Sequence, residues 1–269
     1  MKFTARIPVT AGLLVLLAST VGCNKLKARD QLNKGIQAFK SAQFEEAVNH
    51  FQTSIQLDPT YELGRLYLAT AYASQVVPGL ETPANLATAQ KAIDGFQAVL
   101  AKDPSDLTAL KQIASIRRNV HKFEEAKDYE RRVIALDAND AEANYTIGVV
   151  DWIQAHNNVV TILGAENKIY DGLGDVGKSK DACAKIQAQN GPLVTDGMQY
   201  LKRAIELNPS YEDAMAYLNL TYRLKADLEC GNDADRKADV AQANDWVKKA
   251  MNQGKINEKA KEDKEHAVQ

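Results

Sequence analysis

The chain has 269 residues, 45% of them hydrophobic and 25% charged, with 33 Lys and Arg against 35 Asp and Glu. A formal net charge of −2 provides no basic face for a phosphate backbone, which argues against nucleic acid as a partner. The length suffices to bury a sizeable core in one or two domains.

The N-terminal stretch comes first in chain order. Lys2 and Arg6 precede an uncharged run from Ile7 to Gly22, which closes in Ala18-Ser19-Thr20-Val21-Gly22 before Cys23. A basic start, an apolar middle and a small-residue end are the parts of an export signal. The run is too short and too Thr/Ser-interrupted for a spanning helix, which takes roughly 20 apolar residues. Residues 1–22 are expected to be absent from the working protein, whose net charge would then be −4. Thr20-Val21-Gly22-Cys23 resembles the lipobox of bacterial lipoprotein signals. The resemblance implies acylation of Cys23, a short linker over 23–27 and, because Asn24 and not Asp follows the cysteine, an outer-membrane anchor facing the periplasm. Ordinary cleavage with Cys23 as an incidental thiol is the alternative.

A repeat follows. FEEAVNHFQTSIQLDP, AQKAIDGFQAVLAKDP, FEEAKDYERRVIALDA and DGMQYLKRAIELNP are amphipathic helices that end at an acid or Asn, mostly followed by Pro. Each is preceded by a second helical stretch, as in 32–40, 64–73, 142–152 and 214–223, with small residues where two helices would touch. The unit is a helix hairpin of about 34 residues. Five units run over 28–61, 62–106, 107–140, 141–211 and 212–250. They place small or bulky residues in a constant order: Gly35, Ala47, Phe51, Ser54 and Pro59 in the first; Ala69, Tyr72, Ala92, Phe96 and Pro104 in the second; Gly148, Gly197, Leu201, Ala204 and Pro209 in the fourth. This order resembles the tetratricopeptide repeat (TPR) family over most of 28–250. The resemblance implies an all-α fold, a right-handed α-α superhelix whose concave face binds extended partners.

Three units carry extra residues: around 76–85, over 157–193, and around 230–235. KSKDACAKIQAQN within the longest insertion reads as a short helix ending before Gly191-Pro192. The tail over 251–269 is charged and apolar-poor, and reads as helix continuing into disorder. Of three cysteines, Cys23 is assigned to lipid, which leaves Cys183 and Cys230 as an even pair in an oxidising compartment. A Cys183–Cys230 disulfide would tie the long insertion to the fifth repeat; two buried free thiols are the alternative.

Signs of catalysis are lacking. Gly172-Leu173-Gly174-Asp175-Val176-Gly177 matches the glycine spacing of a dinucleotide loop, but such a loop needs a strand before it. The histidines fall at no metal spacing, and neither a cofactor nor a metal is expected. Glu45-Glu46 and Glu124-Glu125 recur at the start of a second helix, where acids suit the helix dipole. Projected on the expected superhelix, Lys111, Arg118, Asn119, Tyr145, Trp152 and Arg223 point to the concave face. An indole beside cations suits a peptide or carboxylate. The expectation is a lipid-anchored periplasmic scaffold that binds a protein, and not an enzyme. The alternative is a small-ligand carrier in which 157–193 roofs a pocket.

Overall fold

The computed structural model describes residues 10–173, 176 and 179–267, with side chains from residue 23 to residue 266. Among the described residues there are ten helices and no strand. They group into two compact units, residues 1–121 and 122–269.

The first unit holds α1 (Thr10–Lys40), α2 (Phe44–Leu57), α3 (Glu62–Ala73), α4 (Pro83–Leu100) and α5 (Leu107–Asn119), each packed on the next. Residues 1–9 of the expected export segment lie outside the described residues, and 10–22 are described as helical backbone only. Among the described residues no helix is long and apolar enough to cross a membrane. Leu32, Ala47, Val48, Phe51 and Ala71 form the buried core around α2, with Tyr67 and Tyr72 packed at its edge. Gly35 explains the close approach of α1 and α2. A Cβ there would stand 2.4 Å from the Phe51 ring, so any side chain would push the helices apart.

The hairpin signals have a structural cause. Asp58 ends α2 by accepting hydrogen bonds from Thr60 N (3.0 Å) and Thr60 Oγ1 (2.6 Å). Asp103 does the same for Ser105, and Asn208 for Ser210. Each carboxylate or amide closes a local turn that competes with further helix. Those bonds hold the Asp58 and Asp103 carboxyls below the usual aspartate range. At the opposite ends Thr82, Asp106, Asp140 and Ser179 cap their helices by accepting an N–H from the third helical residue.

The second unit holds α6 (Phe123–Leu136), α7 (Ala141–Gly164), α8 (Lys180–Leu207), α9 (Glu212–Leu228) and α10 (Asp233–Ala267). The α7–α8 pair is the longest hairpin here, and its core runs through Ala155, Val159, Ile186, Val194, Leu201 and Leu218. Gly148 allows the closest contact: a Cβ there would meet Leu201 Cγ at 2.5 Å.

Two expectations need correction, one within the 157–193 insertion and one in the tail. α7 runs on to Gly164 and α8 starts at Lys180, so most of the insertion is helix. The helix expected to stop before Gly191-Pro192 passes through both residues. Pro192 sits on the exposed side, and next to it the buried Asn190 donates to the Ala155 carbonyl at 2.8 Å and accepts from Asn158 at 2.9 Å. Burial of Ile186, Val194 and Leu201 on either side outweighs one lost ladder bond, a cost of about 3 kcal/mol. The tail after 250 is helical as far as Ala267, and Asn257 donates to the Ser210 carbonyl at 3.2 Å. Cys183 and Cys230 are joined as a disulfide that links α8 to the α9–α10 turn.

Candidate functional site: an aromatic file beneath a strap

On α7, Tyr145, Trp152 and His156 are spaced by seven and four residues, which places them along one helical face. On α9, Tyr217, Leu220 and Arg223 do the same at intervals of three. The two helices pack side by side, and their rings interleave. Tyr211 lies 4.8 Å from Tyr145, Tyr145 5.8 Å from Tyr217, Tyr217 5.3 Å from Trp152, Trp152 5.0 Å from His156, and His156 5.3 Å from Tyr170. Trp152 and His156 are nearly parallel, at 15°, while Trp152–Tyr217 and His156–Tyr170 are edge-on. These are the offset and T-shaped geometries that ring quadrupoles favour.

Tyr170 comes from the connection between α7 and α8. Residues 170–173 of it form a strap across the α7–α9 face. Arg223 donates through Nη1 to the Gly172 carbonyl at 3.2 Å, and Arg236 through Nη1 to the Leu173 carbonyl at 3.2 Å. The Tyr170 hydroxyl donates to the Asp227 carboxylate. Val176 is buried in the core, and Ser179 Oγ donates to Glu166 at 2.8 Å. Gly172 adopts a φ of +69°, which a side-chain-bearing residue rarely takes. Between strap and helices lies a cavity of about 280 Å3, lined by Trp152, His156, Tyr170, Asp171, Leu220 and Arg223.

Burial sets the charge states here. Asp227 is 2% exposed, and desolvation pushes its carboxyl up to about 7 against the opposing hydrogen bond from Tyr170. The other carboxylate oxygen of Asp227 has no hydrogen-bond partner. Desolvation lowers the His156 pKa, so the ring that stacks on Trp152 is neutral at pH 7. It also raises the Tyr170 phenol well above its ordinary value. Arg223 has three of its donors engaged: Nε to Asn219 Oδ1 (3.2 Å), Nη1 to the strap, and Nη2 to Asn244 Oδ1 (3.1 Å). A second buried cluster, on the α6–α7 contact, pairs Lys127 Nζ with Asp151 Oδ1 at 2.8 Å and Glu124 Oε1 at 2.8 Å. Desolvation raises the Asp151 pKa to about 6 although Lys127 opposes it.

The sequence-named residues divide. Tyr145, Trp152 and Arg223 lie on this face, and the last two line the cavity. Lys111, Arg118 and Asn119 belong to α5 in the first unit, where all three are half-buried. Cys23 is exposed on α1 with a free thiol. His156, Tyr170, Tyr217 and Asp227 were not singled out from the sequence. A helical-face reading of α7 would have found His156, four residues after Trp152, but Tyr170 and Asp227 meet only through the fold. The glycine-spaced stretch 172–177 lies partly outside the described residues, and no strand precedes it. Among the described residues no group of three His, Cys, Asp or Glu stands ready for a metal ion.

No family model matches the chain, and no curated protein matches it in sequence. Solved structures do. A crystal structure of MamA is 16% identical, covers 87% of this chain and 94% of its own, and superposes with a TM-score of 0.53. MamA from Desulfovibrio magneticus RS-1, residues 41 to the end, is 16% identical over 86% of this chain and 96% of its own, with a TM-score of 0.55. YrrB, described as a TPR protein with an unusual peptide-binding site, is 15% identical over 88% and 97%, at 0.50. The likeness shows the fold: the chain is all-α, built of TPR-type helix hairpins.

Proposed function

We propose that the chain is an exported scaffold, held at the bacterial outer membrane by lipid on Cys23, whose repeats bind another protein in the periplasm. The observation that carries the binding half is the file of six rings on α7, α9 and the strap. Tyr145, Trp152, Tyr211 and Tyr217 in it are only half-buried. Large rings left partly open beside arginine are the side chains that dominate protein interfaces. Lys111, Arg118 and Asn119, on α5 of the first unit, form a separate polar contact surface in this reading. YrrB, of the same fold, is described by its peptide-binding site, which is consistent with this use of the repeats. The anchoring half rests on the sequence around Cys23 and on the exposure of its thiol.

The carrier alternative is less well supported. Small-molecule sites usually enclose about 300–1,000 Å3, and the strap roofs a cavity of about 280 Å3. That space lies just below the usual range.

Crosslinking of the tagged full-length protein in its native envelope, with mass spectrometry beside a Cys23→Ser control, tests the reading. One or two proteins should be strongly enriched and lost in the control. Background alone, with the protein still in the membrane fraction, overturns the scaffold.

A further inference from the structure

We propose that the cavity under the strap is a socket for one aromatic side chain, a Phe, Tyr or Trp presented by the partner protein. The inference rests on the scaffold reading for its occupant and on the geometry of the second unit for its chemistry.

The wall residues decide the class. Trp152, neutral His156 and Tyr170 present rings, and Leu220 adds an aliphatic side. Arg223 is the cation in the wall, and its role is set by how it is fastened. Nε, Nη1 and Nη2 each donate along the guanidinium edge, to Asn219, Gly172 and Asn244. With its edge held from three sides, the guanidinium offers its flat face, which stacks on rings. An anion is a poor fit, because Asp171 shares the wall and Asp227 lies behind Tyr170. An organic cation is opposed by Arg223 itself. An aliphatic side chain would fill space but would not use the ring edges and faces. A ring extends a file already spaced at 4.8–5.8 Å. At about 280 Å3 the cavity has room for one aromatic side chain. The strap completes the socket: Tyr170 supplies one ring wall, while Arg223 and Arg236 hold the Gly172 and Leu173 carbonyls.

The test uses the full chain lacking residues 1–22, in a Trp246→Phe background, so that Trp152 is the sole tryptophan and is excited apart from the tyrosines. The probes are N-acetyl-phenylalanine amide and N-acetyl-leucine amide. The ring probe should change Trp152 emission saturably and bind at least tenfold more tightly than the leucine probe. Leu220→Trp, which fills the cavity from its own wall, should abolish binding of the ring probe, read by equilibrium dialysis because the new indole adds its own emission, while leaving the far-ultraviolet circular dichroism spectrum unchanged. Arg223→Lys, which retains charge but loses the flat face, should weaken the ring probe at least fivefold and the leucine probe little. Equal affinity for the two probes, or no saturable response up to the solubility limit of the ring probe, overturns the socket. So does unaltered binding in Leu220→Trp. The same Leu220→Trp chain in the envelope crosslink separates the two proposals. A partner still recovered leaves the scaffold standing and removes the socket from its interface. A ring probe that binds in a chain with no crosslinked partner leaves the socket and removes the scaffold.

Discussion

Of the three hairpins that carry extra residues, those of α3–α4 and α7–α8 accommodate them in opposite ways. Between α3 and α4 the extra residues remain a loop. Pro78 and Gly79 interrupt helix, Gly79 with a φ of +74°, and Pro83 restarts it as the first residue of α4. Asn85, 7% exposed, braces that loop from within: it accepts from Val77 N at 2.9 Å and donates to the carbonyls of Val77 (3.0 Å) and Leu80 (2.6 Å). The end of α5 adds two contacts, Gly79 N to the Asn119 carbonyl at 2.8 Å and His121 Nδ1 with Glu81 Oε1 at 3.1 Å. Between α7 and α8 the extra residues lengthen both helices instead, and only a short strap crosses between them. There the restraint is long-range, through a disulfide, two arginines and a buried tyrosine–aspartate bond. A loop filled by its own asparagine closes a hairpin without a cavity. A strap held at its edge by arginines and a disulfide leaves one beneath it.

That difference can be broken from either side. The largest effect should come from replacing Cys183 and Cys230 together by Ser. The bridge closes a segment with a sequence separation of 47, for which chain entropy gives roughly 2–4 kcal/mol. Denaturant unfolding followed by Trp152 fluorescence should show that loss. A loss below about 1 kcal/mol would mean that the arginines and the core hold the strap unaided.

A smaller effect, with a definite sign, is expected at Asp227. Its folded pKa, about 7, stands above the ordinary 3.8, so the folded state binds the proton more tightly. Stability from this group is present below about pH 4 and declines as pH rises through about 7. Asp227→Asn retains an acceptor for Tyr170 and cannot ionise. The variant should match the parent at pH 4 and exceed it by about 2–3 kcal/mol at pH 8, read from parallel thermal melts. A constant difference across that range would show that Asp227 does not titrate with folding.

The smallest effect should be Asn85→Ala in the other hairpin. It leaves Val77 and Leu80 groups without partners, at a cost of about 2 kcal/mol. The probe response of Trp152 should be unchanged, since both residues belong to different units. A changed response would show that the two hairpins are coupled.

Much of this was legible in advance. The hairpin period is written in local chemistry: Asp or Asn closing a turn, Pro barring helix, and alanines such as Ala47, Ala92, Ala126 and Ala204 at fully buried contacts. Counting cysteines led to the Cys183–Cys230 bridge. The passage of α8 through Gly191-Pro192 was not legible, because local propensity argues for a break. The packing of Ile186, Val194 and Leu201, with Asn190 on the Ala155 carbonyl, overrides it.

The site divides along the same line. Tyr145, Trp152 and Arg223 follow from helical periodicity, because face membership is a property of residue spacing alone. That Tyr170 would continue their file, that Asp227 would hold its hydroxyl, and that Arg223 would hold the strap depend on segments from 14 to 57 positions apart in the chain. Local sequence by itself determined the helices, their ends and their buried faces. Only tertiary structure decided where the strap lies and hence that there is a cavity, since desolvation and ring packing act between residues that the chain order keeps apart.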